Sequence, residues 1–132
     1  MKLDSNKVEV KAKTEEIKTF LSDSNNLIHL LPQESISDFK SNVEECSFKV
    51  QGGIIISLIQ DGQEDDKLFL KSGEKSPFPF KLTINLEESD SVTIGYINFD
   101  GEVNMFLKMM VEKPLKNLFN YMSDKLKGHF EG

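Results

Sequence analysis

Residues 104–130 read NMFLKMMVEKPLKNLFNYMSDKLKGHF, and this stretch decides the fold. After Leu115 the apolar residues Leu118, Phe119, Met122, Leu126 and Phe130 recur at steps of three and four, which places them on one helix face. Lys116, Asn117, Asn120, Ser123, Lys125 and Lys127 hold the opposite side and suit water. Met105, Phe106, Met109 and Met110 extend the greasy stripe toward the start of the helix, and methionine suits surfaces that accept more than one shape. A helix of about 25 residues is roughly 38 Å long, enough to cross a small domain. Pro114 lies within the pattern and removes a backbone donor, which predicts a kink near Met110 and Val111. The alternative is a helix that starts just before Pro114. Asn104 is an acceptable N-cap and Gly101 ends the preceding strand, so the longer helix is preferred.

Upstream the chain reads as strands, with two short helices after the first. Residues 7–13 alternate, with Val8, Val10 and Ala12 on one side and charges on the other. Thr14 is expected to cap a helix that buries Ile17, Phe20 and Leu21, with Glu15 and Glu16 in its first turn. Ser24 is expected to cap a second one carrying Leu27, Leu30 and Leu31, ended by Pro32. From there the period is two. Cys46, Phe48 and Val50 alternate with Glu45, Ser47 and Lys49; Gly52 and Gly53 make a turn; residues 54–59 form a largely buried strand. Residues 61–66 read as a polar hairpin loop, followed by Leu68 and Leu70 on a short strand and a loop over 72–77. Pro77 and Pro79 set the next strand's start at an edge or bulge. Phe80, Leu82, Ile84 and Leu86 then alternate with Lys81, Thr83, Asn85 and Glu87; the first three are expected inside, and Lys81, Thr83 and Asn85 accessible. A turn at 88–90 leads to a last strand over 92–100, whose inner face the pattern leaves open.

With 132 residues, 38% hydrophobic and 29% charged, the chain has the size and composition of one soluble globular domain spanning residues 1–132. The net charge of -6 and pI near 4.9 argue against nucleic acid. The longest apolar run, 54–59, is far short of the ~20 residues of a membrane span, and residues 1–5 show no apolar leader core. Cys46 is the lone cysteine, which suits a reducing, cytoplasmic setting and leaves no intrachain disulfide.

No catalytic, phosphate-binding or cofactor motif stands in the chain, so no catalytic residue, metal or cofactor is expected. His29 and His129 read as structural or surface histidines rather than ligands. Cys46 alternates inward and reads as a small core residue. Tyr96 is the polar-tipped residue best placed to reach a cavity.

The order strand, two short helices, antiparallel strands and long C-terminal helix resembles the START-like (SRPBCC) helix-grip superfamily. That group includes polyketide cyclases and aromatases, pollen-allergen-type proteins and the G-type subunit of carbon monoxide dehydrogenase. The runs KSPFPF at 75–80 and LKMMVEKPL at 107–115 look like a branch of small bacterial members of that last type. The resemblance implies an α+β fold in which a curved antiparallel sheet of about seven strands wraps the long helix, with an apolar cavity between them.

The leading functional reading is a noncatalytic module that binds a small hydrophobic or amphipathic molecule, such as a lipid or polyketide-like compound. The expected lining is Phe48, Leu68, Leu70, Phe80, Leu82, Ile84, Tyr96, Phe106, Met109, Met110, Leu118, Phe119 and Met122, with Met122 beside a partly empty hollow. A cyclase- or hydrolase-like enzyme would need Tyr96, Asp38, Asn98 and His29 to converge. A scaffold or maturation partner would show an exposed apolar patch. The reading leans away from an enzyme and leaves room for a homodimer.

Overall fold

The computed structural model describes residues 1–50 and 52–131. Strands β1 (Lys2–Asp4) and β2 (Val8–Val10) lead into helix α1 (Thr14–Leu21) and a 3-10 helix (Ser24–Leu30). Strands β3 (Ser37–Ser41), β4 (Glu45–Lys49), β5 (Ile55–Glu64), β6 (Lys67–Ser72), β7 (Phe80–Ser89) and β8 (Val92–Gly101) follow, and helix α2 (Met105–His129) ends the chain. The eight strands form one curved, open antiparallel sheet in the order β1-β8-β7-β6-β5-β4-β3, with β2 also on β8. The long helix is continuous through Pro114, and Asn104 caps it by accepting the Leu107 N–H at 2.9 Å.

The β-rich middle follows the alternation. Phe80, Leu82, Ile84 and Leu86 are buried on the face that meets α2, and Lys81 is exposed. β8 supplies Thr93, Gly95, Ile97 and Phe99 to that same face, which fixes the parity its sequence left open. Phe99 stacks on Phe80 at 5.2 Å and on Phe119 of the helix at 5.4 Å, so the aromatic rings carry the core from sheet to helix.

Several local expectations are corrected. The first strand is two short ones, because Ser5 interrupts the ladder: its N–H donates to Ile97 O, and its Oγ accepts the Ile97 N–H, both at 2.8 Å. Thr14 does not cap α1; it is the first helical residue, and the Glu88 carboxylate of β7 accepts its N–H at 2.9 Å. Asp23, not Ser24, caps the 3-10 helix by accepting the Asn25 N–H at 3.0 Å. The hairpin loop expected over 61–66 is only Asp65 and Asp66, since β5 runs on to Glu64. A bulge with Gly62 at φ 95° absorbs the register shift between Gln60 and Gln63. Asn85 is only 5% exposed although it faces outward, and Thr83 is half-buried. Tyr96 and Lys67 stand directly opposite Asn85 on the neighbouring strands, and its amide donates to Asn98 Oδ1 at 2.6 Å. Two long neighbours cover a short polar side chain without reversing the strand's faces.

Met122 is enclosed as fully as Leu86, at 2% and 0% exposure, so no water-sized hollow adjoins it. Truncating either to alanine is therefore expected to cost about 2–5 kcal/mol in urea unfolding. A Met122→Ala loss well below that of Leu86→Ala would show a cavity beside the helix.

Candidate functional site

Nine of the residues expected to line a cavity do come together. Phe48, Leu68, Leu70, Phe80, Leu82 and Ile84 of the sheet meet Leu118, Phe119 and Met122 of α2, all of them buried in one core. They fill the space between sheet and helix with their own side chains, as interiors packed to crystal density do. The other four lie elsewhere. Phe106 and Met109 are 72% and 83% exposed on the helix face turned from the sheet, and Met110 is 51% exposed. The reason is angular: at about 100° per residue, the centre of the 105–110 cluster lies roughly 170° from the face that buries Val111, Leu115 and Met122. Tyr96 points to the outer side of β8, where its hydroxyl donates to Glu87 Oε1 at 3.3 Å and Lys7 Nζ lies 4.8 Å from its ring. Burial and the Glu87 carboxylate raise its phenol above the ordinary value.

The four residues an acid/base site would need are scattered. Tyr96 and Asn98 sit on the outer face of β8, and Asn98 donates to Asp4 Oδ1 at 2.7 Å. Asp38 pairs with Lys49 at 3.3 Å on β3, near the opposite edge of the sheet. His29 lies on the 3-10 helix, 6.1 Å from His129, with Phe20 packed 4.2 Å from the His129 ring. Among the described residues no three His, Cys, Asp or Glu side chains cluster as metal ligands.

What the sequence reading missed is a seam along one flank of α2. Leu107, Met110, Pro114, Leu118, Tyr121 and Lys125 follow one another at steps of three and four, so they form a line down the helix. Three grooves open along it. The first, of about 310 Å³, lies between Leu107, Met110 and Val111 on one side and Ile54, Ile55, Lys75 and Pro77 on the other. A second, of about 210 Å³, is walled by Pro32, Ser35, Ile36 and Val50 against Pro114, Asn117, Leu118 and Tyr121. The third, of about 280 Å³, runs past Tyr121 and Lys125 to Ile28, His29, Leu31 and Gln33. Val50 and Ile54 face the seam because they flank the tip of the β4–β5 hairpin, where Gly52 and Gly53 take φ of 94° and 80° and Ile54 O accepts the Val50 N–H. The step pattern on the flank was visible in the sequence; the loop residues opposite it carry no periodic signal. A larger depression of about 460 Å³ between β3, β4, β5 and the loop after β6 is lined by Lys40, Lys75, Glu45, Glu74 and serines, a polar wall with both charge signs.

No protein-family model matches the chain, and no curated protein matches it. Solved structures do. A START superfamily protein from Mycobacterium smegmatis superposes with TM-score 0.68 at 16% identity, covering 98% of this chain and 97% of that one. The KanY protein gives TM-score 0.77 at 13% identity over 100% and 98% of the two chains. A protein of Thermus thermophilus gives 0.73 at 12% identity over 98% and 97%. At such identities the likeness is one of fold, and the fold is the helix-grip arrangement.

Cys46 is buried, and desolvation, with the Glu45 charge second, pushes its thiol from 9.0 up to about 12. It is thus a packed thiol and no nucleophile at neutral pH. Because the folded state resists ionisation, the contribution of this group to stability is whole below pH 9 and is lost as pH rises toward about 12. The expected outcome is a thiol silent to Ellman's reagent in the folded chain at pH 8 and reactive once urea unfolds it. Rapid labelling of the native protein would contradict the enclosure.

Proposed function

We propose that the chain binds a small amphipathic molecule in the seam along α2, with its apolar body between Val111, Leu118, Ile36 and Val50 and its polar end toward Tyr121 and Lys125. The observation that carries this reading is the line of three grooves, most apolar where Met110 and Val111 face Ile54 and Pro77, and bearing the Tyr121 hydroxyl and the Lys125 amine at the far end. Binding clefts are concave, mostly apolar and carry a few polar groups that fix orientation, and this seam has that composition. The filled core beneath it serves as a rigid floor. Likeness of fold to a START superfamily protein supports a binding role. The separate placement of Tyr96, Asn98, Asp38 and His29 argues against the acid/base site those four residues would have made. No helix is long and apolar enough to cross a membrane, and a reduced, enclosed Cys46 suits the cytoplasm.

The seam predicts where binding can be blocked. Ile36 is half-buried on the groove wall, so Ile36→Trp fills the groove at little cost to the core. With anilinonaphthalenesulfonate as the probe, the variant is expected to bind at least about tenfold more weakly, or ~1.4 kcal/mol, at an unchanged melting temperature. Undiminished probe binding by a folded Ile36→Trp would remove the seam as the site. Native mass spectrometry of the purified chain is the companion test: absence of any retained apolar mass, together with no binding across a panel of fatty acids and aromatic polyketides, would end the reading.

A further inference from the structure

The first turns of α2 carry an apolar surface that the fold leaves uncovered. Met105, Phe106, Met109 and Met110 are 78%, 72%, 83% and 51% exposed. They project almost opposite to the face the helix buries, so no movement of the helix on its sheet can cover both. At about 200 Å² per fully exposed large side chain, the four leave on the order of 600 Å² of contiguous apolar surface in water. That is the upper end of what a monomer shows, where such patches mark interfaces.

We propose that this surface pairs with the same surface of a second copy, the two helix starts crossing antiparallel about a two-fold axis between Leu107 and Lys108. An isologous contact must be complementary to itself, and this one is. The axis sets Met105 against Met110 and Phe106 against Met109, so each apolar side chain meets another. It also carries Lys113 of each copy, roughly 8 Å from the axis at ~1.5 Å per residue, past the other's helix start toward Glu102, which lies in the extended segment before the cap Asn104. Both residues are exposed, and neither is in an ion pair among the described residues; Lys108 and Glu112 pair within the helix at 3.8 Å. Roughly 600 Å² of apolar centre plus this charged rim approaches the ~800 Å² per partner of a specific dimer. An anionic bilayer fits less well, because the charges around the patch cancel and the chain carries -6 overall.

The test is sedimentation equilibrium of the full chain over a concentration series. The wild type is expected to reach twice its 15.0 kDa mass at the upper concentrations. Phe106→Glu and Met109→Glu are each expected to remain monomeric with unchanged melting temperature, since neither residue is in the core. Glu102→Lys alone and Lys113→Glu alone are each expected to weaken association at least about fivefold, because the two-fold axis repeats the contact. The E102K/K113E double variant is expected to recover to within about twofold, as restored opposite charges require. A wild type that stays monomeric into the millimolar range overturns the proposal, as does a dimer that survives Phe106→Glu. Failure of the double variant to recover overturns the antiparallel geometry. Flotation of monomeric protein with phosphatidylcholine vesicles, lost in Phe106→Glu, would assign the patch to a bilayer instead.

Discussion

A curved open sheet leaves its concave apolar face in water unless something covers it, and here α2 is the cover. Val111, Leu115, Leu118, Phe119, Met122 and Leu126 are the side chains that do it. At about 1.5–3 kcal/mol for each large side chain buried, the gross gain is on the order of 10 kcal/mol. Hydrogen bonds at ~1 kcal/mol each then set the register of the docking. Three of them lie on one edge of the helix. Lys116 binds Asp4 O, Asn120 Oδ1 accepts the Asn6 N–H at 2.8 Å, and Ser123 meets Ser5 at 2.8 Å. The break between β1 and β2 is thus where the helix is stitched to the sheet. There Asp4 O, the Ser5 hydroxyl and the Asn6 N–H turn to α2, while Ser5 also keeps its two bonds to Ile97 of β8.

That stitching explains why the opposite edge of the helix is the open one. On the Lys116 side, backbone and side chains meet directly. On the Pro114 side, the helix faces the loop after the 3-10 helix and the tip of the β4–β5 hairpin, which do not close on it. Proline adds to this, since it removes the donor that would tie the turn back to Met110. The loop after β6 behaves differently. Gly73 N–H donates to Ser57 O at 3.0 Å, and Ser76 Oγ accepts the Ser57 N–H at 2.9 Å, so this loop continues along β5 where β6 leaves off. Glycine suits that approach, because a Cβ at position 73 would push Ser57 Oγ out of its place.

The fold was legible wherever one face of an element is dry and the other wet. Phe80, Leu82, Ile84 and Leu86 show this for β7, and Leu115, Leu118, Met122 and Leu126 show it for α2. Legibility failed where cover comes from outside the element. Asn85 is buried by Tyr96 and Lys67 from adjacent strands, and Thr14 is satisfied by Glu88 from β7, partners that local pattern cannot reveal. β8 was unreadable for another reason. Its inner face carries Thr93 and Gly95 while its outer face carries Ile94 and Tyr96, so hydrophobicity names the wrong side; Gly95 is inward, with Leu126, Leu86 and Val10 in ordinary contact range at 3.7 Å from a would-be Cβ. The methionine stripe misled through continuity in sequence. Residues 105–110 and 115–126 look like one greasy run, yet the helical angle sends them to opposite faces.

That division bears on function. A half-open seam that is concave, a few side chains wide and walled by Asn117, Leu118, Tyr121 and Lys125 offers contacts on two sides to something narrow. A convex patch at a helix start, with side chains standing free, surrounds nothing; it can be covered only by something at least as broad as itself. The two surfaces meet at Met110, which borders the first groove and also belongs to the patch. An occupant of the patch would therefore share Met110 with an occupant of the seam, and a difference in the rotamer each prefers would couple the two, equally in both directions.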